Sequence, residues 1–223
     1  MDLIEYPDRD LLMLGLADRL TGDLAEALRL NEAISFSVPG GTTPGPVFDV
    51  LSEQALDWDR VSVVLNDERW VGEDSARSNT ALIKRRLLVS KAAAARLIPL
   101  YAEAPAPEDK LEELTAGLTP HLPLSVLLLG MGADMHTASL FPGADHLIEA
   151  LADDAPPLMA MRAQGAGEPR VTLTAPVLKA AMNIHILITG ADKRAALERA
   201  AHLPVQEAPV RCVLGQATVH WAE

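Results

Sequence analysis

The feature that most constrains the fold of this 223-residue chain is the alternation of short apolar segments with helical patterns. Five apolar segments have the length of a buried β-strand, and they cover residues 34–39, 61–66, 125–129, 184–189 and 210–214. Residues 218–221 are a candidate edge strand. Strands that alternate with helices favour a mostly parallel sheet with helices on both faces, so the sequence predicts an α/β fold.

Helical patterns fill the spaces between the apolar segments. The predicted helices are residues 8–29, 80–88, 108–118 and 193–201. The second of them follows Asn79, a residue type that favours the N-cap position. Residues 102–107 and 153–169 are rich in proline and fit surface connections better than domain linkers. We therefore predict a single domain over residues 1–223.

The composition and charge of the chain disfavour several classes of protein. Apolar residues make up 49% and charged residues 22%, which is typical of globular proteins, and the net charge of −12 disfavours binding to nucleic acid or to an anionic membrane. No apolar run is long enough to span a bilayer, and the N-terminus lacks a signal-peptide pattern. Cys212 is the only cysteine, and its place in segment 210–214 predicts an inert thiol in a buried strand. These observations predict a cytoplasmic protein without nucleic-acid or membrane partners.

An acid and a histidine follow the apolar segment 125–129 within a few residues. Gly130 and Gly132 come first, and Asp134 and His136 come next. A buried strand that leads into a tight glycine turn can hold a titratable group rigidly at the edge of a sheet. The alternative is an ordinary turn in which His136 is a polar loop residue without a chemical role.

A second glycine turn follows the segment 34–39. Gly40 and Gly41 would let the backbone approach an anion closely, and the N–H groups of a following helix would point at it. Thr42 and Thr43 can add hydroxyl donors. The alternative is a plain turn before a helix, with no ligand.

Two acids and an arginine follow the segment 61–66. At the end of a strand, such residues can orient the polar groups of a ligand and balance charge that develops during a reaction. The alternative is a surface ion pair that contributes at most about 1 kcal/mol. We expect Asp67 and Arg69 to line a pocket and leave Glu68 unassigned.

Four stretches of the chain resemble, in order, motifs of the 6-phosphogluconolactonases, whose fold family includes the glucosamine-6-phosphate isomerase/deaminases. They are residues 38–44, residues 66–71 with Ser78 and Asn79, residues 127–142, and residues 169–173 with residues 190–193. The resemblance covers nearly the whole chain, which makes it more specific than any single motif. One position departs from the pattern, because Met135 stands where the family usually has a glycine before the histidine.

The resemblance implies a Rossmann-like fold and the hydrolysis of 6-phospho-D-glucono-1,5-lactone to 6-phosphogluconate in the pentose phosphate pathway. His136 is then expected to be the general base that activates water, because histidine titrates near neutral pH. Asp67 and Arg69 are expected to act with it at the catalytic site. Asp134 is expected either to orient His136 or to cap the turn.

The same resemblance places the phosphate of the substrate on the turn that contains Gly40, Gly41, Thr42 and Thr43, and on Arg170 and Lys193. Arginine offers a planar fork that suits phosphate, and lysine offers a mobile point charge. The other histidines lack metal-ligand spacing, so neither a metal nor a cofactor is expected. The expected partner is the small-molecule lactone, and the sequence leaves the oligomeric state open.

Two other functions stay open at this point. Isomerase/deaminases of the family usually follow their histidine with an Asn-Glu-Pro stretch whose acid assists ring opening, whereas this chain has Leu140-Phe141-Pro142. A non-catalytic sugar-phosphate-binding module is the second alternative. Modules of that kind in transcription regulators usually carry a DNA-binding segment, and this acidic chain has no obvious one.

The replacement of glycine by Met135 leads to one more expectation. Methionine is disfavoured at positive φ, where glycine is at ease. Because Gly130 and Gly132 already supply flexibility, we expect Met135 to have a negative φ and to point away from the lactone. The turn and His136 are then expected to keep their places.

Overall fold

Ten strands form the two sheets of the protein, which a computed structural model describes over residues 1–223. The strands are β1 (Asp2–Glu5), β2 (Ile34–Val38), β3 (Val61–Leu65), β4 (Asp67–Arg69), β5 (Arg96–Ile98), β6 (Val126–Gly130), β7 (Leu158–Met161), β8 (Arg170–Leu173), β9 (Asn183–Thr189) and β10 (Thr218–Ala222). Seven of them form a parallel sheet in the order β1-β10-β9-β6-β2-β3-β5. The other three form a small antiparallel sheet in the order β4-β8-β7.

Eight α-helices flank the large sheet. They are α1 (Arg9–Leu30), α2 (Gly45–Ser52), α3 (Asn79–Arg86), α4 (Leu111–Leu118), α5 (Leu147–Leu151), α6 (Ala175–Lys179), α7 (Ala191–Ala200) and α8 (Arg211–Leu214). Helices around a mostly parallel sheet confirm the predicted α/β class. None of the helices has the length and the apolar character that crossing a membrane requires.

Helix α1 shows how the sequence pattern becomes a packed core. Its leucines recur every fourth residue and form one buried stripe, which consists of Leu12, Leu16, Leu20, Leu24 and Leu28. Asp8 caps the helix, because its carboxylate accepts the N–H of Leu11 at 2.8 Å. Strands β2 and β3 are buried along their whole length, as expected for strands of a parallel sheet with both faces covered.

Two of the strand predictions are wrong. Residues 210–214 contain the short helix α8 instead of a strand, because Pro209 cannot donate to a sheet and favours the start of a helical turn. Burial raises the pKa of the Cys212 thiol in this helix to about 12, so the reactive thiolate is scarce at neutral pH. Strand β10 lies inside the sheet instead of at its edge, because β1 pairs with its outer side.

The small sheet begins where the chain leaves β3. Asn66 connects β3 to β4, and its completely buried side chain makes hydrogen bonds in two directions. Its Oδ1 accepts from the Ser37 hydroxyl at 2.7 Å, and its Nδ2 donates to the Leu128 carbonyl at 2.8 Å. Its backbone carbonyl accepts the N–H of Leu173 at 2.9 Å. Asn66 therefore joins β2, β3 and β6 to the small sheet.

The order of the strands opens a crevice at the carboxyl ends of β2 and β6. These two strands are parallel neighbours. Within the large sheet, the next strand along the chain after β2 is β3, on one side, and the next after β6 is β9, on the other. The loops that follow the two strands therefore diverge, and parallel sheets bind ligands at such a point. Both predicted glycine turns lie there.

A chain of hydrogen bonds connects α1 to β9 and β10. The Tyr6 hydroxyl lies 2.9 Å from His220 Nδ1. Nε2 of His220 lies 3.0 Å from His185 Nδ1, and Nε2 of His185 lies 2.7 Å from Asp23 Oδ2. Each donor in this chain has an acceptor when both histidines are neutral. Burial, with the neighbouring His185, lowers the pKa of His220 to about 3.

This hydrogen-bond chain predicts a loss of stability in acid. The pKa of His220 is depressed from 6.5 in the folded protein, so below about pH 6.5 the unfolded chain binds the proton more readily. The resulting stabilisation is present above this pH and is lost as the pH falls towards about 3. Urea denaturation at a series of pH values should measure this loss. Between about pH 6.5 and pH 3, the unfolding free energy of His220→Gln should decrease less steeply than that of the wild type, because glutamine cannot bind a proton. Equal pH dependence in the two proteins would contradict a neutral, buried His220.

Candidate active site

Several segments of the chain line the crevice, which has a volume of about 430 Å³. They are the glycine turn after β2, the paired strands β4 and β8, the loops from β4 to α3 and from β7 to β8, the turn after β6, β9, and the first turn of α7. The predicted site residues that line the crevice are Gly40, Gly41, Thr43, Asp67, Arg69, His136, Arg170 and Lys193. Two predicted site residues, Thr42 and Asp134, do not line it.

His136 and Asp134 form a hydrogen-bonded pair beside the crevice. Oδ1 of Asp134 lies 2.5 Å from His136 Nδ1 and also accepts the backbone N–H of His136 at 3.3 Å. The hydrogen bond with the imidazole lowers the pKa of Asp134, so this carboxylate is ionised at neutral pH. Because Nδ1 donates to the carboxylate, Nε2 is the nitrogen that can accept a proton. The imidazole also packs against Phe141, with 4.4 Å between the ring centroids.

Gly132 provides the space that this pair occupies. A Cβ atom at this position would fall on His136 Nδ1 and on Asp134 Oδ1. The backbone closes around the pair, because Gly132 donates its N–H to the His136 carbonyl at 3.0 Å. Met135 donates its N–H to the Gly132 carbonyl at 2.9 Å. Any side chain at position 132 would therefore separate the acid from the imidazole.

Met135 has a φ of +66°, so the expectation of a negative φ is wrong. The physical reason is the reversal of the chain between Gly132 and His136, for which the backbone adopts a left-handed conformation at position 135. Ala138, beyond the histidine, has a φ of +49°. Such a conformation costs about 1–2 kcal/mol in a residue that has a Cβ atom. The Met135 side chain packs against the hydrophobic core and does not line the crevice.

The glycine turn after β2 presents backbone atoms to the crevice. Gly41 has a φ of +82°, and a Cβ atom at Gly40 would fall on the side chain of Asn79. Thr43 lines the crevice, whereas Thr42 is exposed outside it. The N–H of Gly45, the first residue of α2, donates to the Thr42 carbonyl at 3.2 Å, and the next residue is a proline without an N–H. The N–H groups that can meet an anion are therefore those of the glycine turn itself.

Asp67 is fixed by a buried hydrogen-bond network. Its Oδ2 accepts from the Ser139 hydroxyl at 2.5 Å and lies 3.5 Å from Arg170 Nη1. Ser139 also donates its backbone N–H to Thr172 Oγ1 at 3.1 Å. The network connects the turn after β6 to β4 and β8, so the carboxylate of Asp67 is oriented from both directions.

Glu68, which the sequence leaves unassigned, stabilises α3 and does not line the crevice. Its completely buried carboxylate accepts the N–H of Asn79 at 2.8 Å and the N–H of Thr80 at 2.6 Å. The backbone N–H of Arg69 donates to it as well, at 2.8 Å. A carboxylate at this place meets the free N–H groups and the positive end of the helix dipole. Ser78 is the N-cap residue of α3, so the expectation that Asn79 has this role is wrong.

Arg69 and Arg170 lie opposite each other on β4 and β8. Arg69 is held through Nη1, which donates to Asn79 Oδ1 at 3.0 Å and to the Arg77 carbonyl at 2.7 Å. Burial is the largest cause of the lowered pKa of Arg170. The carboxylate of Asp67 raises this pKa, and the positive charges of Arg69 and Arg77 lower it further. The Nε atoms of Arg69 and Arg170 are buried without a hydrogen-bond partner. This side of the crevice is therefore positively charged.

Lys193 brings a further positive charge from the β9 side of the crevice. It lies in the first turn of α7, which follows β9 through Gly190 at a φ of +89°. No carboxylate of the chain forms an ion pair with Lys193. Its ammonium group is therefore available to an anionic ligand.

Three residues that build the crevice are not among the site residues predicted from the sequence. The side chain of Asn79 packs closely against Gly40, and the hydroxyl of Ser139 orients Asp67. Both belong to the motif-like stretches, which is the signal that could have identified them. The third is Arg77, whose side chain lines the crevice and which no motif marks.

Comparison with known proteins shows relatives over nearly the whole chain. The family described as glucosamine-6-phosphate isomerases/6-phosphogluconolactonase matches residues 7–221. A 6-phosphogluconolactonase of Mesorhizobium japonicum is 42% identical over 97% of this chain and 93% of its own length. Another, of Rhizobium meliloti, is 40% identical over 100% of this chain and 98% of its own.

Solved structures extend the likeness to three dimensions. The crystal structure of a 6-phosphogluconolactonase from Shewanella baltica has a TM-score of 0.96 at 30% identity, over 100% of this chain and 98% of its own. That of a 6-phosphogluconolactonase from Thermotoga maritima has a TM-score of 0.81 at 25% identity, over 99% of this chain and 97% of its own. The chain belongs to the glucosamine-6-phosphate isomerase/6-phosphogluconolactonase family.

Proposed function

We propose that the protein hydrolyses 6-phospho-D-glucono-1,5-lactone to 6-phosphogluconate, a step of the pentose phosphate pathway. The observation that carries the proposal is the Asp134–His136 pair, which lies beside a crevice that also contains Arg170 and Lys193. This substrate needs a base for water and positive charge for its phosphate. The relatives and structures named above carry the name of this activity.

His136 is the general base of the proposed reaction. Its Nε2 takes a proton from water while the water oxygen attacks the C1 carbonyl carbon of the lactone. The tetrahedral oxyanion then collapses, the bond between C1 and the ring oxygen breaks, and the ring oxygen takes the proton from His136 to become the C5 hydroxyl. The ionised Asp134 fixes the tautomer that leaves Nε2 free and stabilises the transient imidazolium.

Asp67 and Arg69 act beside the reacting carbon in this proposal. Ser139 and Arg170 occupy Oδ2 of Asp67, so Oδ1 is available to accept a hydrogen bond from a sugar hydroxyl. Nη1 of Arg69 is occupied by protein acceptors, so Nη2 is available to balance the negative charge that develops on the oxyanion.

The phosphate binds to the glycine turn after β2, to Arg170 and to Lys193 in this proposal. The proposal gives the side chain of Thr42 no contact with the phosphate, because Thr42 does not line the crevice. The absence of a required metal or cofactor stays a prediction, and so does the cytoplasmic location. The stretch after His136 supports hydrolysis over isomerisation, because Leu140 is completely buried and Phe141 packs on the imidazole, and neither is an acid.

Replacement of His136 by alanine tests the proposal. The kcat of His136→Ala should fall by about 10²–10⁴, the usual contribution of a positioned base. The assay uses freshly generated lactone, with spontaneous hydrolysis subtracted. His202→Ala, which changes an exposed histidine that does not line the crevice, should keep the wild-type rate. Near wild-type turnover in His136→Ala would remove this residue from the mechanism.

The left-handed turn makes a separate prediction for Met135. Met135→Gly should keep kcat/KM within about tenfold of the wild type, because glycine adopts a positive φ without strain and the lost side chain does not line the crevice. Met135→Val should lose more activity, since a β-branched residue is a strong outlier at positive φ. If the two variants were equally active, the left-handed conformation would not be what holds His136.

A further inference from the structure

A third arginine, Arg77, lies on the same side of the crevice as Arg69 and Arg170. It belongs to the loop between β4 and α3, and its side chain lines the crevice while remaining 51% exposed. Its backbone carbonyl accepts a hydrogen bond from Arg69 at 2.7 Å. The mechanism proposed above gives its side chain no role. We call Arg69, Arg77 and Arg170 the arginine cluster.

The side chain of Arg77 is held in place by the loop that precedes β8. Its Nε lies 2.5 Å from Glu168 Oε1, and this hydrogen bond lowers the pKa of Glu168. Its Nη2 lies 3.5 Å from the Ala166 carbonyl, which also accepts from Arg170 Nη2 at 3.1 Å. Nε and Nη2 of the guanidinium are therefore directed to the protein, and Nη1 has no partner in the chain.

One guanidinium group of the arginine cluster has no ion-pair partner. Arg77 pairs with Glu168 at 2.5 Å and Arg170 pairs with Asp67 at 3.5 Å. The side chain of Arg69 pairs with no carboxylate, and the neighbouring Glu68 is occupied by backbone N–H groups. Mutual repulsion of arginines destabilises the empty site, and a dianionic phosphate would remove this repulsion. The neutral hydroxyls and the ester of a lactone ring would not. The closeness of three guanidinium groups therefore points to the phosphate as their ligand.

We propose that Arg77 is a specificity residue for the phosphate of the substrate, to which its Nη1 donates a hydrogen bond. Glu168 is the positioning residue that holds the guanidinium through Nε. This inference rests on the proposed lactonase function. It adds a phosphate-binding residue to those that the family resemblance implies. The competing interpretation is an ion pair that only connects the two loops.

Two lactones distinguish these interpretations in steady-state kinetics. With 6-phosphogluconolactone, Arg77→Ala should raise KM by about tenfold and leave kcat within about twofold, because a half-exposed, charge-assisted hydrogen bond is lost. With unphosphorylated glucono-1,5-lactone, the same variant should behave like the wild type. Glu168→Gln keeps a hydrogen-bond acceptor, so it should raise KM for the phosphorylated lactone less than Arg77→Ala does, with kcat unchanged.

Arg162→Ala is the matched control. Arg162 pairs with Glu108 at 2.6 Å, is 44% exposed and does not line the crevice, so its loss should leave KM for both lactones unchanged. A rise of KM in this control equal to that in Arg77→Ala would mean that loss of any nearby surface charge has the effect, and it would overturn the assignment.

The remaining outcomes also decide the question. Equal losses with both lactones in Arg77→Ala would show that the residue only connects the loops, and no loss would show a solvated surface cation; either result overturns the inference while the lactonase function stands. A wild-type enzyme that hydrolyses neither lactone would refute the proposed function itself. Calorimetric binding of 6-phosphogluconate and gluconate would then still test Arg77, which should affect only the phosphorylated ligand.

Discussion

The buried amide of Asn66 is the interaction on which the arrangement of the site depends. It lies where β3 gives way to β4, and it makes hydrogen bonds to Ser37 of β2 and to Leu128 of β6. The glycine turn follows one of these strands and the His136 turn follows the other. A buried amide without partners costs about 1–3 kcal/mol. Any shift of β2 or β6 relative to β3 would break these hydrogen bonds, so they hold the three strand ends in one register. The small sheet that carries Arg170 is attached at the same residue.

The His136 turn stores backbone strain close to the reacting groups. Met135 and Ala138 both have positive φ, and Gly132 leaves room for the acid and the imidazole. Strain of this kind persists only where the surroundings over-determine the backbone, and here the carbonyl of Met135 accepts the N–H of Val210 at 3.1 Å. The conformation holds Asp134 and His136 in hydrogen-bonding contact, and in the proposed mechanism this places the base and its orienting acid before the substrate arrives.

The sequence predicts the long, strongly patterned elements and the strand ends that meet at the crevice. It misses β1 and β5, which are short and partly exposed, and the small sheet, whose pairing joins distant segments. Local pattern also misjudges residues 210–214, where proline chemistry outweighs apolar character. Within the site, titratable residues after strands could be predicted. The helix-stabilising role of Glu68 and the place of Arg77 could not, because both depend on contacts between loops.

The central claim is that one crevice holds the phosphate and presents C1 of the lactone to Nε2 of His136. A crystal structure of the protein with bound 6-phosphogluconate tests it most directly. We predict that the C1 carboxylate lies within about 3.2 Å of His136 Nε2 and that the phosphate contacts the glycine turn after β2. A product bound in the opposite direction, with its phosphate beside His136 and C1 away from it, would contradict the claim.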